Sequence, residues 1–269
     1  MRAFFAKKIC TKMGVIMEDC QVTHMPLIGD VAPAFHAVTT QGEINFPKDY
    51  YGKWVVFFSH PADFTPVCTT EFMTFASMIN EFKALNTELV GLSIDSVYSH
   101  IAWLRKIKEL SWKDIKHVDV TFPLIADISM EIANKYGMLH PSYSGTQTVR
   151  AVFIIDPEGK IRAILYYPAT TGRNMQEIKR MIIALQKADI ENIATPANWM
   201  PCDDIILPPP GTCGAAMERV ERVNEKMYCL DWFLCFQQSN CVTDRQDYEP
   251  EGIPYPSAYS TRSRMNYRR

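Results

Sequence analysis

A single cysteine lies in the segment HPADFTPVCTTEF, which runs from His60 to Phe72 and follows the apolar run WVVFFS. Thr65 is a favourable residue at the cap of a helix, and Pro66 then falls at the first helical position, where its fixed φ fits the helix. Cys68 is therefore expected at the third helical position, where backbone N–H groups lack intrahelical partners and the helix dipole is positive. Both effects stabilise a thiolate, which is the nucleophilic form of cysteine.

Cys68 alone does not establish reactivity, because a lone cysteine is most often a small buried hydrophobe. Pro61 restricts the approach of the chain to the helix and shields one side of a pocket. The Thr65 hydroxyl can both accept and donate a hydrogen bond near the thiol. The spacing Pro-x-x-x-Thr-x-x-Cys behind an apolar strand is more specific than its separate residues and favours a reactive thiol.

The surrounding hydrophobic pattern alternates between short buried strands and amphipathic helices. Strands are predicted at 54–59, 88–95 and 122–127, and a hairpin at 149–156 and 161–168. Helices are predicted at 66–84, at 97–110, from a Ser129 cap through Tyr136, after an Asn174 cap with Glu177 in capping-box spacing, and at 215–228. This order predicts a three-layer α/β domain with a mixed sheet.

Composition and charge narrow the classes of function. The net charge of −2 and pI near 6.3 do not imply a nucleic-acid-binding surface, and no apolar run approaches the roughly 20 residues of a membrane span. Four basic residues precede the first acid, Glu18. They leave organelle targeting as an alternative to a cytoplasmic protein whose N-terminal extension is disordered.

The chain is expected to divide into four parts. A disordered extension at 1–24 precedes the α/β domain at 25–192. A C-terminal arm at 193–245 starts with a proline-rich stretch that should run extended across a surface, and a polar tail at 246–269 should be disordered. The extended arm needs a partner surface, which favours a dimer.

The cysteines are unevenly distributed, because Cys68 stands alone in mid-chain while five others lie within 202–241. Without a secretory signal, a structural disulfide framework is not expected, so the cysteines are redox-active, metal-binding or simply buried. A zinc site would draw on Cys213, Cys229, Cys235 and Cys241. This set lacks the close Cys-x₂₋₄-Cys pair of most zinc sites, and no metal is expected.

The segment around Cys68 resembles the active-site signature of the peroxiredoxins, in which the cysteine attacks the peroxide O–O bond and becomes a sulfenic acid. PLIGDVAPAF, VRAVFIIDPEGKIR, YYPATTGRN and TPANW are also similar to that family, so the resemblance covers about residues 25–240. The histidine before the proline and the long arm resemble the one-cysteine-like subfamily. The resemblance implies a thioredoxin-like fold, with a central mixed sheet flanked by helices and an extended C-terminal dimerisation arm.

The resemblance also implies roles for four polar residues. Arg150, in TVRAVF, matches the arginine that holds the thiolate and polarises the peroxide, and Arg173, in TTGRN, matches a second arginine near the site. His60 matches the active-site histidine of the subfamily, and Glu71 matches a glutamate that can pair with the arginines. Without the family, the arginines would be surface charges, His60 a satisfied histidine at a strand end, and Glu71 a residue that offsets the helix dipole.

The segment YCLDWFLCF is similar to a cysteine-containing segment of archaeal members of the subfamily. By resemblance, Cys235 resolves the sulfenic acid of the partner subunit and Cys229 then exchanges with it. The stretch from Trp232 to Leu234 departs from the archaeal pattern by lacking a second aromatic residue at one position. The alternative is an apolar dimerisation strip whose cysteines are incidental.

The expected function is a thiol peroxidase that reduces hydrogen peroxide and organic hydroperoxides in antioxidant defence. It would need no cofactor and would be recycled by a thioredoxin-like or other dithiol reductant. A homodimer is expected, and a ring of five dimers is implied by resemblance only. Two alternatives are a redox-sensing or chaperone-like oligomer and a thioredoxin-like disulfide reductase. Thr65 argues against the reductase, because it occupies the place of the first cysteine of Cys-x-x-Cys.

Overall fold

The computed structural model describes residues 25–221, 224 and 226–239. The predictions of disorder at 1–24 and 246–269 lie outside these residues, and the division near residue 192 stays a prediction. The strands are β1 (Phe35–Thr39), β2 (Gly42–Phe46), β3 (Trp54–Ser59), β4 (Thr87–Ser93), β5 (Ser111–Trp112), β6 (Ile115–Lys116), β7 (Leu124–Ala126), β8 (Arg150–Ile155), β9 (Ile161–Tyr167), β10 (Ile205–Leu207), β11 (Met227–Asp231) and β12 (Leu234–Gln237). The helices are α1 (Pro66–Ser77), α2 (Ile79–Ala84), α3 (Val97–Glu109), α4 (Glu131–Lys135), α5 (Met175–Glu191) and α6 (Cys213–Glu221).

A mixed central sheet has the strand order β2-β1-β7-β4-β3-β8-β9, which confirms the predicted fold class. Strand β3 runs parallel to β4 on one side and antiparallel to β8 on the other. Every residue of β3 is buried. Because successive side chains of a strand point to opposite faces, Val56 and Phe58 join one apolar cluster and Val55 and Phe57 join a second. The sheet thus has a core on each face, as a continuous apolar strand predicts.

The predicted helices and strands form with three local differences. The helix predicted at 66–84 is two helices, α1 and α2, which meet at Met78. The helix predicted at 215–228 is wrong in its second half, because α6 ends at Glu221 and residues 227 and 228 belong to β11. The predicted Ser129 cap of α4 is wrong, because Met130 occupies the cap position with φ of 60° and the carboxylate of Asp127 accepts hydrogen bonds from the N–H groups of Ile132 and Ala133. Asp127 lies three residues before the cap position. Its carboxylate reaches these N–H groups because the chain turns through the left-handed residue Met130.

The arm forms a small three-stranded sheet in the order β10-β12-β11. Part of the proline-rich stretch is therefore paired strand rather than only extended chain, since β10 bonds to β12. Strands β11 and β12 form a hairpin that turns at Trp232 and Phe233, and both turn residues are exposed. No helix among the described residues is long and apolar enough to cross a membrane.

Candidate active site

The cysteine of the 60–72 segment lies where the sequence pattern predicts. Strand β3 ends at Ser59, Thr65 holds the cap position with extended backbone angles, and Pro66 opens α1. The first backbone bond of the helix runs from the N–H of Thr69 to the carbonyl of Thr65. Cys68 therefore lies within the first turn, where the free N–H groups of the helix concentrate. Its thiol is not part of a disulfide, and the residue has no solvent exposure.

Arg150 brings a positive charge to this thiol. It is the first residue of β8, the strand next to β3, and its Nη1 atom lies 3.2 Å from the Sγ atom of Cys68. The same nitrogen donates to Glu71 at 2.7 Å, while Nε and Nη2 donate to the carbonyl of Ala169 at 3.2 and 2.7 Å. The guanidinium is thus held by three groups, and it is only 2% exposed. A fixed, buried, permanent cation beside a sulfur stabilises negative charge on the sulfur and on an atom that reacts with it.

Glu71 joins the two predicted arginines in one buried network. Arg173 donates to Glu71 through Nε at 3.0 Å, through Nη2 at 2.6 Å and through its backbone N–H at 2.8 Å. Its Nη1 donates to the carbonyls of Ser59 and Ala151. Burial opposes ionisation of Glu71, but Arg173 and Arg150 outweigh it and hold the pKa of the carboxyl below its ordinary value. Arg173 is connected to the site by its hydrogen bonds to Glu71, whereas the Cys68 sulfur is contacted by Arg150.

Thr65 and Pro61, the other two residues of the signature, both lie between β3 and the first turn of α1. The Thr65 hydroxyl donates to the carbonyl of Ala62 at 2.8 Å, which leaves its oxygen as an acceptor. Pro61 is buried between His60 and Ala62 in the loop that joins β3 to α1. Both lie in the loop that leads into the first turn, as the sequence indicates.

His60 is fully buried beside α1, and its ring packs against Phe72 and Trp103 with centroids 4.9 and 5.1 Å apart. Both aromatic residues belong to the same apolar cluster as Cys68. The His60 Nε2 atom lies 3.0 Å from Asp63, which is also bound by His100. Sequence reasoning missed Asp63 and His100. The only signal for His100 was its place in the apolar stripe of α3, with the buried Trp103 and Ile107 three and seven residues later.

The predicted resolving cysteines are bonded to each other. Cys229 and Cys235 lie directly opposite across β11 and β12 and form a disulfide. Cys235 is therefore bonded to Cys229 and not to Cys68, and neither sulfur is available to the zinc site considered above. Cys202 is also in a disulfide, and Cys213 is a free, exposed thiol. Cys10, Cys20 and Cys241 lie outside the described residues.

Two family models match successive segments of the chain, and both describe peroxiredoxins. The model of the AhpC/TSA family matches residues 28–164, and the model of the C-terminal domain of 1-Cys peroxiredoxin matches residues 184–221. A peroxiredoxin of Methanosarcina mazei is 64% identical over 215 residues, which are 80% of this chain and 98% of that protein. A peroxiredoxin of Aquifex aeolicus is 51% identical over 225 residues, with the same shares covered.

Solved structures match the same region. A yeast mitochondrial 1-Cys peroxiredoxin superposes with a TM-score of 0.68 at 40% identity, over 80% of this chain and all of that one. A mutant of peroxiredoxin 6 from Arenicola marina superposes with a TM-score of 0.67 at 34% identity, over 80% of this chain and 99% of that one. Both coverages include most of the described residues.

Proposed function

The chain belongs to the AhpC/TSA family of peroxiredoxins, and from that premise we propose that it reduces hydrogen peroxide and organic hydroperoxides through Cys68. Family membership makes it a peroxidase. The observation that carries the assignment of the site is the 3.2 Å contact between Arg150 Nη1 and Cys68 Sγ at the start of a helix. The assignment is supported by the common location of the buried Cys68 thiol, the first turn of α1 and the buried guanidinium of Arg150.

The proposed first step is attack by the Cys68 thiolate on one peroxide oxygen. A sulfur–oxygen bond forms, the O–O bond breaks, and the second oxygen leaves as water or an alcohol by taking up the proton that the thiol released when it ionised. Arg150 stabilises the negative charge that passes from the sulfur to the leaving oxygen. Thr65 offers an acceptor for the O–H of the bound peroxide, because its own hydrogen is committed to Ala62. Glu71 and Arg173 position Arg150 without contacting the peroxide.

The proposed second step is resolution of the Cys68 sulfenic acid by Cys235 of the partner subunit. Cys68 and Cys235 both have no solvent exposure, so each must move before a disulfide can join them. Exchange with Cys229 then releases Cys68 and leaves the Cys229–Cys235 pair. The direct opposition of Cys229 and Cys235 in the hairpin supports this exchange, since no backbone change is needed to close that bond.

The proposed reductant is a thioredoxin-like or other dithiol protein. The yeast mitochondrial relative is resolved via glutathione and thioredoxin systems, which supports this class of reductant. The exposed Trp232 and Phe233 at the turn of the hairpin support a partner surface on the arm. We propose a homodimer, with a decamer of five dimers as its larger assembly, and action in the cytoplasm as an antioxidant enzyme.

Peroxide consumption by the purified full-length protein tests this function. We expect the wild type, given a dithiol reductant, to consume hydrogen peroxide through repeated turnovers. Cys68→Ser should abolish consumption, whereas the matched variant Cys213→Ser, which alters a free and exposed thiol, should retain it. Equal activity in Cys68→Ser and wild type would refute the assignment of Cys68. A single turnover without recycling would favour a redox switch over an enzyme.

A further inference from the structure

Two of the three guanidinium nitrogens of Arg150 are bonded to one backbone carbonyl. Nε and Nη2 donate to the carbonyl oxygen of Ala169 at 3.2 and 2.7 Å. The third nitrogen, Nη1, lies 3.2 Å from Cys68 Sγ and donates to Glu71 at 2.7 Å. Because a guanidinium is planar and rigid, fixing two of its nitrogens fixes the direction of the third. The contact between Arg150 and the sulfur therefore depends on the position of the Ala169 carbonyl.

This carbonyl lies in an exposed loop beside the thiol. Residues 168–172, the 168–172 loop, follow β9, and four of the five are exposed. A β-carbon built on Gly172 would lie 3.5 Å from Cγ1 of Val67, the residue before Cys68, so the loop lies against the first turn of α1. Exposed loops are more mobile than the strands and helices that they connect. The Ala169 carbonyl can therefore fix a side chain only if other groups fix the loop.

A tyrosine from a different loop supplies such a group. Tyr143 lies between α4 and β8, and its hydroxyl oxygen accepts a hydrogen bond from the N–H of Ala169 at 2.9 Å. The Tyr143 backbone is itself fixed in a turn, because its N–H and that of Ser144 both donate to the carbonyl of His140, at 2.8 and 2.9 Å. Ala169 is thus bonded through both of its backbone groups, to Tyr143 through its N–H and to Arg150 through its carbonyl.

We propose that Tyr143 is a positioning residue of the peroxidase site: by fixing Ala169, it keeps the Arg150 guanidinium directed at the reactive thiol. This role rests on the proposed function of Cys68. The contacts are continuous, with 2.9 Å from Tyr143 Oη to Ala169 N, 2.7 Å from Ala169 O to Arg150 Nη2, and 3.2 Å from Arg150 Nη1 to Cys68 Sγ. Tyr143 acts through Ala169 and Arg150 and not on the sulfur itself.

The competing interpretation is that Tyr143 only ties two loops together and that Glu71 positions Arg150 alone. Glu71 accepts from Nη1, the same nitrogen that lies beside the sulfur. A planar group that is bonded at one nitrogen can still rotate about that contact, whereas the Ala169 carbonyl bonds the two remaining nitrogens. Glu71 and the Tyr143–Ala169 pair therefore act on different parts of the guanidinium, and both are needed to fix its direction.

Tyr143→Phe removes the hydroxyl and keeps the ring. Tyr143 is 50% exposed, so the change leaves the buried core intact. We expect kcat/KM for hydrogen peroxide at pH 7 to fall about fivefold, the factor that one hydrogen bond between neutral groups contributes. The matched control is Tyr51→Phe, because Tyr51 is 56% exposed between β2 and β3 and takes no part in these contacts. The control should leave kcat/KM unchanged, and equal rates for the two variants would overturn the proposal.

Tyr143→Ala removes the ring together with the hydroxyl. If the hydrogen bond to Ala169 carries the effect, Tyr143→Ala should lose about as much activity as Tyr143→Phe. A loss that is confined to Tyr143→Ala would assign the effect to packing of the ring and would overturn the proposal.

The ionisation of the thiol gives a readout that does not need peroxidase activity. A thiolate absorbs ultraviolet light, and the share of Cys68 is the difference between each reduced protein and the same protein carrying Cys68→Ser. A guanidinium that is held less firmly stabilises the thiolate less, so this absorbance should develop at a higher pH in Tyr143→Phe than in wild type. The same profile in both proteins would overturn the proposal.

This shift reports the placement of charges and not their number. The charged groups of the site, Arg150, Glu71 and Arg173, are the same in wild type and in Tyr143→Phe. Failure of the proposed function would appear differently, as a wild type that consumes no peroxide. The absorbance profile therefore separates the role of Tyr143 from the function of Cys68.

A double-mutant cycle tests whether the hydroxyl acts through Arg150. In Arg150→Lys the contacts of the guanidinium are already lost, so adding Tyr143→Phe should lower kcat/KM by no more than about twofold. An undiminished loss in that background would overturn the proposal, because the hydroxyl would then act independently of Arg150. Urea unfolding completes the test: a lowered midpoint in Tyr143→Phe with an unchanged absorbance profile would overturn the proposal in favour of a structural tie between loops.

Discussion

Glu71→Gln tests the claim that one buried carboxylate holds both arginines of the active site. The carboxylate of Glu71 is 2% exposed and accepts four hydrogen bonds, three from Arg173 and one from Arg150. Glutamine keeps the shape of the side chain but removes its charge. Its amide nitrogen is a donor and would face guanidinium donors.

The free energy of unfolding should fall by about 3 kcal/mol, the lower end of the range for breaking a buried ion pair. The lower end applies because both arginines keep other partners. Arg150 retains the carbonyl of Ala169, and Arg173 retains the carbonyls of Ser59 and Ala151. The ring of Phe58 also lies 5.1 Å from the Arg173 guanidinium, which offers a further favourable contact for its charge.

Urea unfolding at pH 7 measures this loss. With an m-value of about 3 kcal/mol/M, the midpoint should fall by about 1 M without a change in m. Glu109→Gln is the matched control, because Glu109 pairs with Lys106 on the surface, where solvent screens the ion pair and its loss should change the free energy of unfolding very little. If Glu71→Gln shifts the midpoint no more than Glu109→Gln does, the carboxylate does not hold the network.

Three further predictions follow from the geometry of the site and the arm. Arg150→Lys should lower kcat/KM for hydrogen peroxide about 10²-fold, because an ammonium cannot contact Cys68, Glu71 and Ala169 together. The control Arg162→Lys, which changes an arginine paired with Asp189 outside the site, should leave kcat/KM unchanged. The urea midpoint should fall as the pH is lowered from 7.5 to 5.5, a window about one unit either side of the ordinary histidine pKa. Burial lowers the pKa of His60, so in this window the unfolded chain binds a proton that the folded chain does not bind. A second fall is expected below the ordinary carboxyl pKa of 4.5, since the Glu71 pKa is held lower in the fold; a flat profile over both windows would contradict these directions. Finally, a dithiol reductant should form its mixed disulfide with the half-exposed Cys229 and not with the buried Cys235, which peptide mapping of a trapped complex can decide.

Local patterns predicted much of the fold. The strand β3, the cap at Thr65 and the helix start at Pro66 are set by neighbouring residues, and short-range sterics and hydrogen bonds specify them. The Asn174 cap is confirmed for the same reason, since its side chain accepts from the N–H groups of Gln176 and Glu177. The paired carboxylate of Glu177 bonds Arg180 instead of closing a capping box. The cap does not depend on the capping box, because the Asn174 side chain alone accepts hydrogen bonds from two N–H groups of the first turn.

Long-range contacts were not predictable from local patterns. Asp63 and His100 are 37 residues apart, and neither has a spacing that signals the other. The Ser129 cap failed because the left-handed turn at Met130 lets Asp127, an earlier residue, reach the helix. Arg150 was located by resemblance alone. Only the register of β8 against β3 shows why a residue at a strand start is buried next to a thiol 82 residues away.

The most direct test of the account is disulfide and sulfenic-acid mapping after one equivalent of hydrogen peroxide, starting from fully reduced protein. We expect Cys68 to be the first oxidised site, followed by a bond between Cys68 and Cys235 of the partner subunit and then the Cys229–Cys235 pair. Cys68→Ser should show none of these products. Oxidation of the arm cysteines at the same rate in Cys68→Ser, or an unoxidised Cys68 in the wild type, would contradict the account.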